Sequence, residues 1–417
     1  MSRIEKAYEL ACELYREHGV DPAQVLEKVD KIPVALHAWQ GDDVVGFENF
    51  STALTGGCQV TGNHPGRARS ADELRRDLDL VLKLVPGTHR VCLQGHQVDK
   101  MLPGVDRDGF TMEHFSGWRD WAKAKKIAMD IAPCFYSHPK LDHGFSLSHP
   151  DPAIRRFWIG HGLAIRRIGE GFGKALGIPA VCNFWMPDGF KDEPSDRLAP
   201  RRRMAESLDR IFAAKYDRRF VVPTLESKLF GIGVESYTVG SHEFVMGYAA
   251  TRKILALLDM GHFHLSESVA DKISSFLMTF GKVAFHISRP VRWDSDHVIR
   301  QNDDLRACAR EIVRMGPENF IVALDYFDAS INRVAAWVLG MRNMQKELLK
   351  AMLVPWKDLA AMKDRGDFTA LLVLQEEYGN YPAEEVWAEF CRRAGVASGE
   401  EWFGAVRRYE RDVLLKR

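Results

Sequence analysis

A (β/α)8 barrel is the fold class this 417-residue sequence predicts, on three observations. Eight short β-rich runs alternate with amphipathic helical patterns, which argues for βα units and a parallel sheet. The hydrophobic content of 46% over this length is enough for one large core or two ordinary ones. No low-complexity tract, long linker or sequence-level repeat divides the chain. Eight such units suit a closed barrel of the TIM type better than an open sheet.

In chain order the strands are expected at PVALHAW (33–39), RVCLQGH (90–96), IAMDIAP (127–133) and AVCNFWM (180–186). They continue with FVVPTLE (220–226), ILALLDM (254–260), VAFHIS (283–288) and FIVALDY (320–326). Helical patterns fall between most of them, at 72–85, 114–126, 152–176, 199–215, 243–253, 267–280 and 303–315. The barrel domain with a helical N-terminal extension is expected to occupy residues 1–330, and a helical C-terminal extension residues 331–417. Apolar faces on such extensions must be buried on the barrel or on a neighbouring subunit.

Lys+Arg and Asp+Glu are equal at 57 each, so the counterion release that drives nucleic-acid binding has no basic surplus behind it. The seven cysteines form no C-x-x-C pair and several sit in apolar runs, which fits buried free thiols in a reducing compartment. The N-terminal MSRIEKAYELACELYREHGV is amphipathic and broken by charge, unlike a signal peptide, and no run approaches a membrane span. The expectation is a soluble cytoplasmic protein.

In a barrel the C-terminal strand ends meet around one mouth. Strand five ends with Glu226, strand six with Asp259, strand seven with His286 and strand eight with Asp325. Burying three carboxylates and an imidazole together without a partner is costly, and a divalent cation resolves that cost. His262, Asp294 and Asp296 follow on the adjacent loops and, sharing Glu226, could hold a second ion about 3.5–4 Å from the first. An all-oxygen and imidazole set favours Mn2+, Mg2+, Co2+ or Zn2+. Each residue has a plainer reading: a strand-end Asp often caps a helix, and His286 could be a hydrogen-bonded core histidine. The joint pattern across four strand ends outweighs these. Lys228, two residues after Glu226, would face the same side and could steady a charged substrate oxygen. Trp185 after strand four could wall a sugar face, and His37 at the end of strand one is a further candidate for substrate contact.

Two decoys are set aside. GEGFGKALG (169–177) has the wrong spacing for a dinucleotide fingerprint and lies late in a helix. SHPKLDHGFSLSH carries His138, His143 and His149 in a loop better read as surface or interface. The glycine-rich LTGGCQVTGNHPGRARS (54–70) is a candidate lid.

The stretches HAWQGDDVVGFEN, SLSHPDPAIRRFWI, ESKLFGIGVESYTVGS, DMGHFH, SRPVRWDSDHV and DYFDASINRVAAWV together resemble the bacterial L-rhamnose isomerase family over nearly the whole chain. The resemblance implies a barrel in a homotetramer, two divalent cations, typically Mn2+, and interconversion of L-rhamnose and L-rhamnulose. It implies one ion held by Glu226, Asp259, His286 and Asp325, and a catalytic ion held by Glu226, His262, Asp294 and Asp296. Lys228 and Trp185 match its substrate-side lysine and tryptophan. One position departs: where the family has histidine in an L-x-L-H pattern, this chain has Gln94, with His96 two residues on. Both are candidates for the group beside the sugar ring oxygen.

Ligand-rich and without a spare carboxylate, the site favours a metal-assisted hydride shift between C1 and C2 over proton abstraction to an enediol. Asp294 and Asp296 would orient the proton-carrying water, and Lys228 would stabilise O1. Three rivals stand beside this reading. They are an isomerase preferring L-mannose, L-lyxose or D-allose, a metal-dependent hydrolase on the same fold, and a non-catalytic sugar- or metal-binding protein.

Overall fold

The computed structural model describes residues 1–48, 60–229, 236–291 and 295–417. Eight parallel strands close into a barrel: Val34–His37, His89–Gln94, Ala128–Ala132, Ala180–Trp185, Val221–Glu226, Leu255–Asp259, Val283–Ile287 and Phe320–Leu324. Each pairs with its sequence neighbour, and the first closes on the last through Val34↔Val322 and Ala35↔Ala323. The β-rich runs thus form strands within a few residues of their expected bounds. They are buried almost throughout, because barrel strands are covered inside by side chains and outside by helices.

The helices begin and end on local signals. Asp151 caps helix Pro152–Leu176, with proline at its first position and Gly177 in the left-handed conformation at its end. The GEGFGKALG decoy falls inside this helix and just past its end. Ser2 and Glu5 form a capping box at helix Arg3–Glu17. Ser70 caps helix Ala71–Leu84, so the described part of the glycine-rich stretch leads directly into an ordered element; residues 54–59 lie outside the described residues.

Helix Arg333–Met352 lies against the barrel, with Trp337 fully buried and its Nε1–H donating to His37 O at 2.9 Å. Four helices follow it: Trp356–Asp364, Phe368–Gly379, Ala383–Ala394 and Glu401–Asp412. Helix Phe368–Gly379 contains no buried residue and exposes Phe368, Leu372 and Val373. No described helix is long and apolar enough to cross a membrane. Six of the seven cysteines are described, and all six are free and buried.

Candidate metal centre

Strand register brings the strand-end residues together. Asp259 pairs with His286, His286 with Ala323, and Trp185 with Glu226, while Asp325 N donates to Ile287 O at 2.9 Å. Glu226, Asp259, His286 and Asp325 each offer a ligand atom within 4.8 Å of the others. An ion bonded at about 2.0–2.4 Å leaves its outermost ligands about 4–5 Å apart, so the spacing fits a single cation.

The polar bookkeeping fits too. His286 Nδ1 lies 3.2 Å from Glu226 Oε2, 3.1 Å from Asp325 Oδ2 and 3.6 Å from Asp259 Oδ2. One ring nitrogen carries at most one proton, so it cannot satisfy three carboxylate oxygens at once. Buried and unrelieved, such an arrangement would be unfavourable; a shared cation relieves it. The electrostatics agree. Burial pushes Asp259 up to about 7, with His262 opposing. Burial also works against charge on His286, yet Glu226 and Asp325 hold its pKa well above the ordinary range. Asp325, which burial alone would raise, is held below the usual carboxylate value by His286. The carboxylates draw positive charge into the cluster, which a proton on His286 or a divalent ion can supply.

Outer contacts orient this set. Trp39 Nε1–H donates to Asp325 Oδ1 at 2.9 Å, Asn183 Nδ2 donates to Glu226 Oε2, and Thr224 Oγ1 donates to Asn183 Oδ1 at 2.8 Å. His262 Nδ1 lies 3.3 Å from Glu226 Oε1. Asp296 lines the same cavity, whereas Asp294 lies outside the described residues.

That cavity holds about 60 Å³ of water-sized space, with Glu226, His262, His286, Asp296 and Asp325 among its lining residues. Aromatic and aliphatic side chains complete the wall, among them Trp39, Val44, Tyr136, Trp185 and Phe327. Gln94 lines it as well, and its Oε1 is buried without a hydrogen-bond partner among the described residues. His96 turns away, its Nε2 pairing with Val44 O at 3.0 Å. His37 likewise faces backbone, with Nε2 2.5 Å from Tyr326 O, and burial lowers its pKa to about 4. Neither histidine is among the lining residues. Lys228 is buried beside the cavity, donating from Nζ to Pro187 O at 2.8 Å and lying 6.0 Å from the centre of the Trp185 ring. The loop histidines do not converge: His138 meets Asp106, while His143 and His149 meet Asp142.

Sequence reasoning did not assign roles to Trp39, Asn183, Tyr136 or Phe327. Trp39 and Asn183 carry a signal, since each lies within or just past a strand whose end faces the mouth.

The L-rhamnose isomerase (RhaA) family profile matches residues 2–417. L-Rhamnose isomerases from Salmonella paratyphi B and Salmonella heidelberg are each 49% identical over 417 residues, covering 100% of this chain and 99% of the relative. Among solved structures, a D-psicose 3-epimerase with D-tagatose from Clostridium cellulolyticum H10 aligns at a TM-score of 0.46 and 12% identity. It covers 76% of this chain and 96% of that one. A match along the full length, at close to half the residues, means that the chain belongs to the L-rhamnose isomerase family of aldose–ketose isomerases.

Proposed function

We infer that this chain interconverts L-rhamnose and L-rhamnulose in the cytoplasm, with Mn2+ as the working ion. The observation that carries this reading is the convergence of Glu226, Asp259, His286 and Asp325, of which Glu226, His286 and Asp325 line one cavity whose remaining wall is largely apolar. Glu226, Asp259, His286 and Asp325 would hold one ion, and Glu226, His262, Asp294 and Asp296 a second. Bound there, divalent cations supply Lewis-acid polarisation of neighbouring sugar oxygens, the chemistry a hydride shift between C1 and C2 requires.

The remaining roles belong to the chain. Trp39 and Asn183 fix the carboxylates of Asp325 and Glu226. Trp185 and Phe327 present rings that exclude water from the reacting carbons. Lys228 places a buried cation where charge would develop on a substrate oxygen, and Asp294 with Asp296 would orient a proton between O1 and O2. Gln94 lines the cavity and would offer a neutral carboxamide to the sugar. We assign the helical extension, residues 331–417, to contacts within a homotetramer. The exposed apolar face of helix Phe368–Gly379 supports that assignment.

Chelated protein, reloaded with Mn2+, Co2+, Zn2+ or Mg2+ in turn and assayed on L-rhamnose, L-mannose, L-lyxose and D-allose, tests the reading. Ketose formation from L-rhamnose that is highest with Mn2+ supports it. Preference for another aldose would reassign the substrate. Hydrolysis of an ester without any ketose would sink it.

A further inference from the structure

Just after the first strand, Asp43 and Val44 both occupy the left-handed region, at φ 57° and 61°. Aspartate visits that region at modest cost, but a β-branched residue there is an outlier. Val44 is buried and lines the cavity. Strain of this kind beside a site persists only where the surroundings over-determine it.

Those surroundings can be named. Val44 N donates to Trp39 O at 3.1 Å, and Val44 O pairs with His96 Nε2 at 3.0 Å. Two residues on, Gly46 has φ 73°, and a Cβ there would overlap the His96 ring. Arg333 grips the Asp43 carboxylate with both arms, Nε to Oδ1 at 2.6 Å and Nη2 to Oδ2 at 2.7 Å. Its Nη1 also donates to His64 O at 2.7 Å and to Pro65 O at 3.3 Å. Arg333 is the first residue of helix Arg333–Met352, the end at which the helix dipole disfavours a cation. With its side chain 5% exposed, the guanidinium depends on a carboxylate partner. That partner sits on the residue immediately before the strained valine.

We propose that Arg333 is a positioning residue for the isomerase reaction. Through Asp43 it holds Val44 in the left-handed conformation and so fixes the apolar wall of the cavity. This rests on the isomerase reading above. A hydrocarbon wall contacts the sugar alike in the ground state and the transition state, so its displacement weakens binding rather than turnover.

The test uses the full-length, Mn2+-saturated enzyme and steady-state kinetics on L-rhamnose for wild type, Arg333→Gln, Asp43→Asn and the double variant. Each single variant is expected to raise KM on the order of tenfold, the scale of one misfitted methyl group in a pocket. Turnover number should stay within about threefold, as for loss of uniform binding. Half-saturation by Mn2+ should not move, and the double variant should be no worse than either single one. Asp43→Asn keeps the side-chain shape and carries the test alone should Arg333→Gln fail to fold. Unchanged KM in a folded variant, a loss confined to kcat or to Mn2+ affinity, or KM losses that multiply in the double variant would overturn the proposal. An inactive wild type would overturn the isomerase reading and this one with it, whereas an active wild type with unmoved variants overturns this one alone.

Discussion

Trp39 shows how much a candidate metal ligand depends on a residue that never touches the ion. Its indole N–H fixes one oxygen of Asp325, leaving the other to face His286. Trp39→Phe removes the donor and keeps the ring, and is expected to weaken Mn2+ binding by about 10–100-fold, as outer-contact losses usually do. Competition titration against a metal indicator would measure it, and an unchanged affinity would deny Trp39 this role. The same cluster predicts a pH response. Asp259, raised by burial to about 7, and His286, raised by the carboxylates around it, bind protons where an ion would sit. Metal binding therefore releases protons, and Mn2+ affinity should fall as pH drops through about 7, by about tenfold per pH unit for each proton released. Calorimetry at pH 6 and pH 8 with equal affinities would contradict this. Glu226, Asp259, His286 and Asp325 were legible in the sequence because each lies at or beside a strand end. Trp39 and Asn183 were not given roles, because an orienting hydrogen bond depends on rotamers and distances that spacing does not encode.

Elements are tied to one another by a few buried ion pairs. Arg107, 1% exposed in its side chain, spends its guanidinium on Glu48 and on the carbonyls of Cys134, Tyr136 and Ser137. It thereby joins the loop after the first strand to the chain beyond the third, which carries Tyr136 into the cavity wall. Burial pushes Glu48 up even with Arg107 opposing it, so the pair exists only because both partners are present. Glu48→Ala, which strands a buried cation, should cost about 3–5 kcal/mol, read as a lower urea midpoint. A loss under about 1 kcal/mol would mean that water replaces the carboxylate. The eight barrel strands and the seven longer helices between them were readable from periodicity, to within a few residues, whereas the short helix Trp39–Asp42 was not. The Glu48–Arg107 and Asp43–Arg333 pairs, separated in sequence by 59 and 290 residues, were not.

At the scale of the whole molecule, the barrel closes between its first and last strands, and the chain from Arg333 onward packs over that closure through Trp337. Helix Phe368–Gly379 keeps an apolar face outward, with Leu372 66% exposed. In the proposed homotetramer this face would be covered by a neighbouring chain. Leu372→Asp is expected to shift the assembly towards smaller species in light scattering, with the far-ultraviolet circular dichroism of each chain unchanged. A variant of wild-type mass would remove this helix from the interface.

Periodicity and position along a strand are local properties, and from them the alternation of strands and helices, the class of the barrel and the candidate strand-end ligands could be read. Tertiary structure alone decided that Gln94 and not His96 lines the cavity, that His37 faces backbone, and that Val44 is held in a conformation valine avoids. Those outcomes depend on which side chains a closed barrel brings within a few ångströms of each other, and no local pattern carries that information.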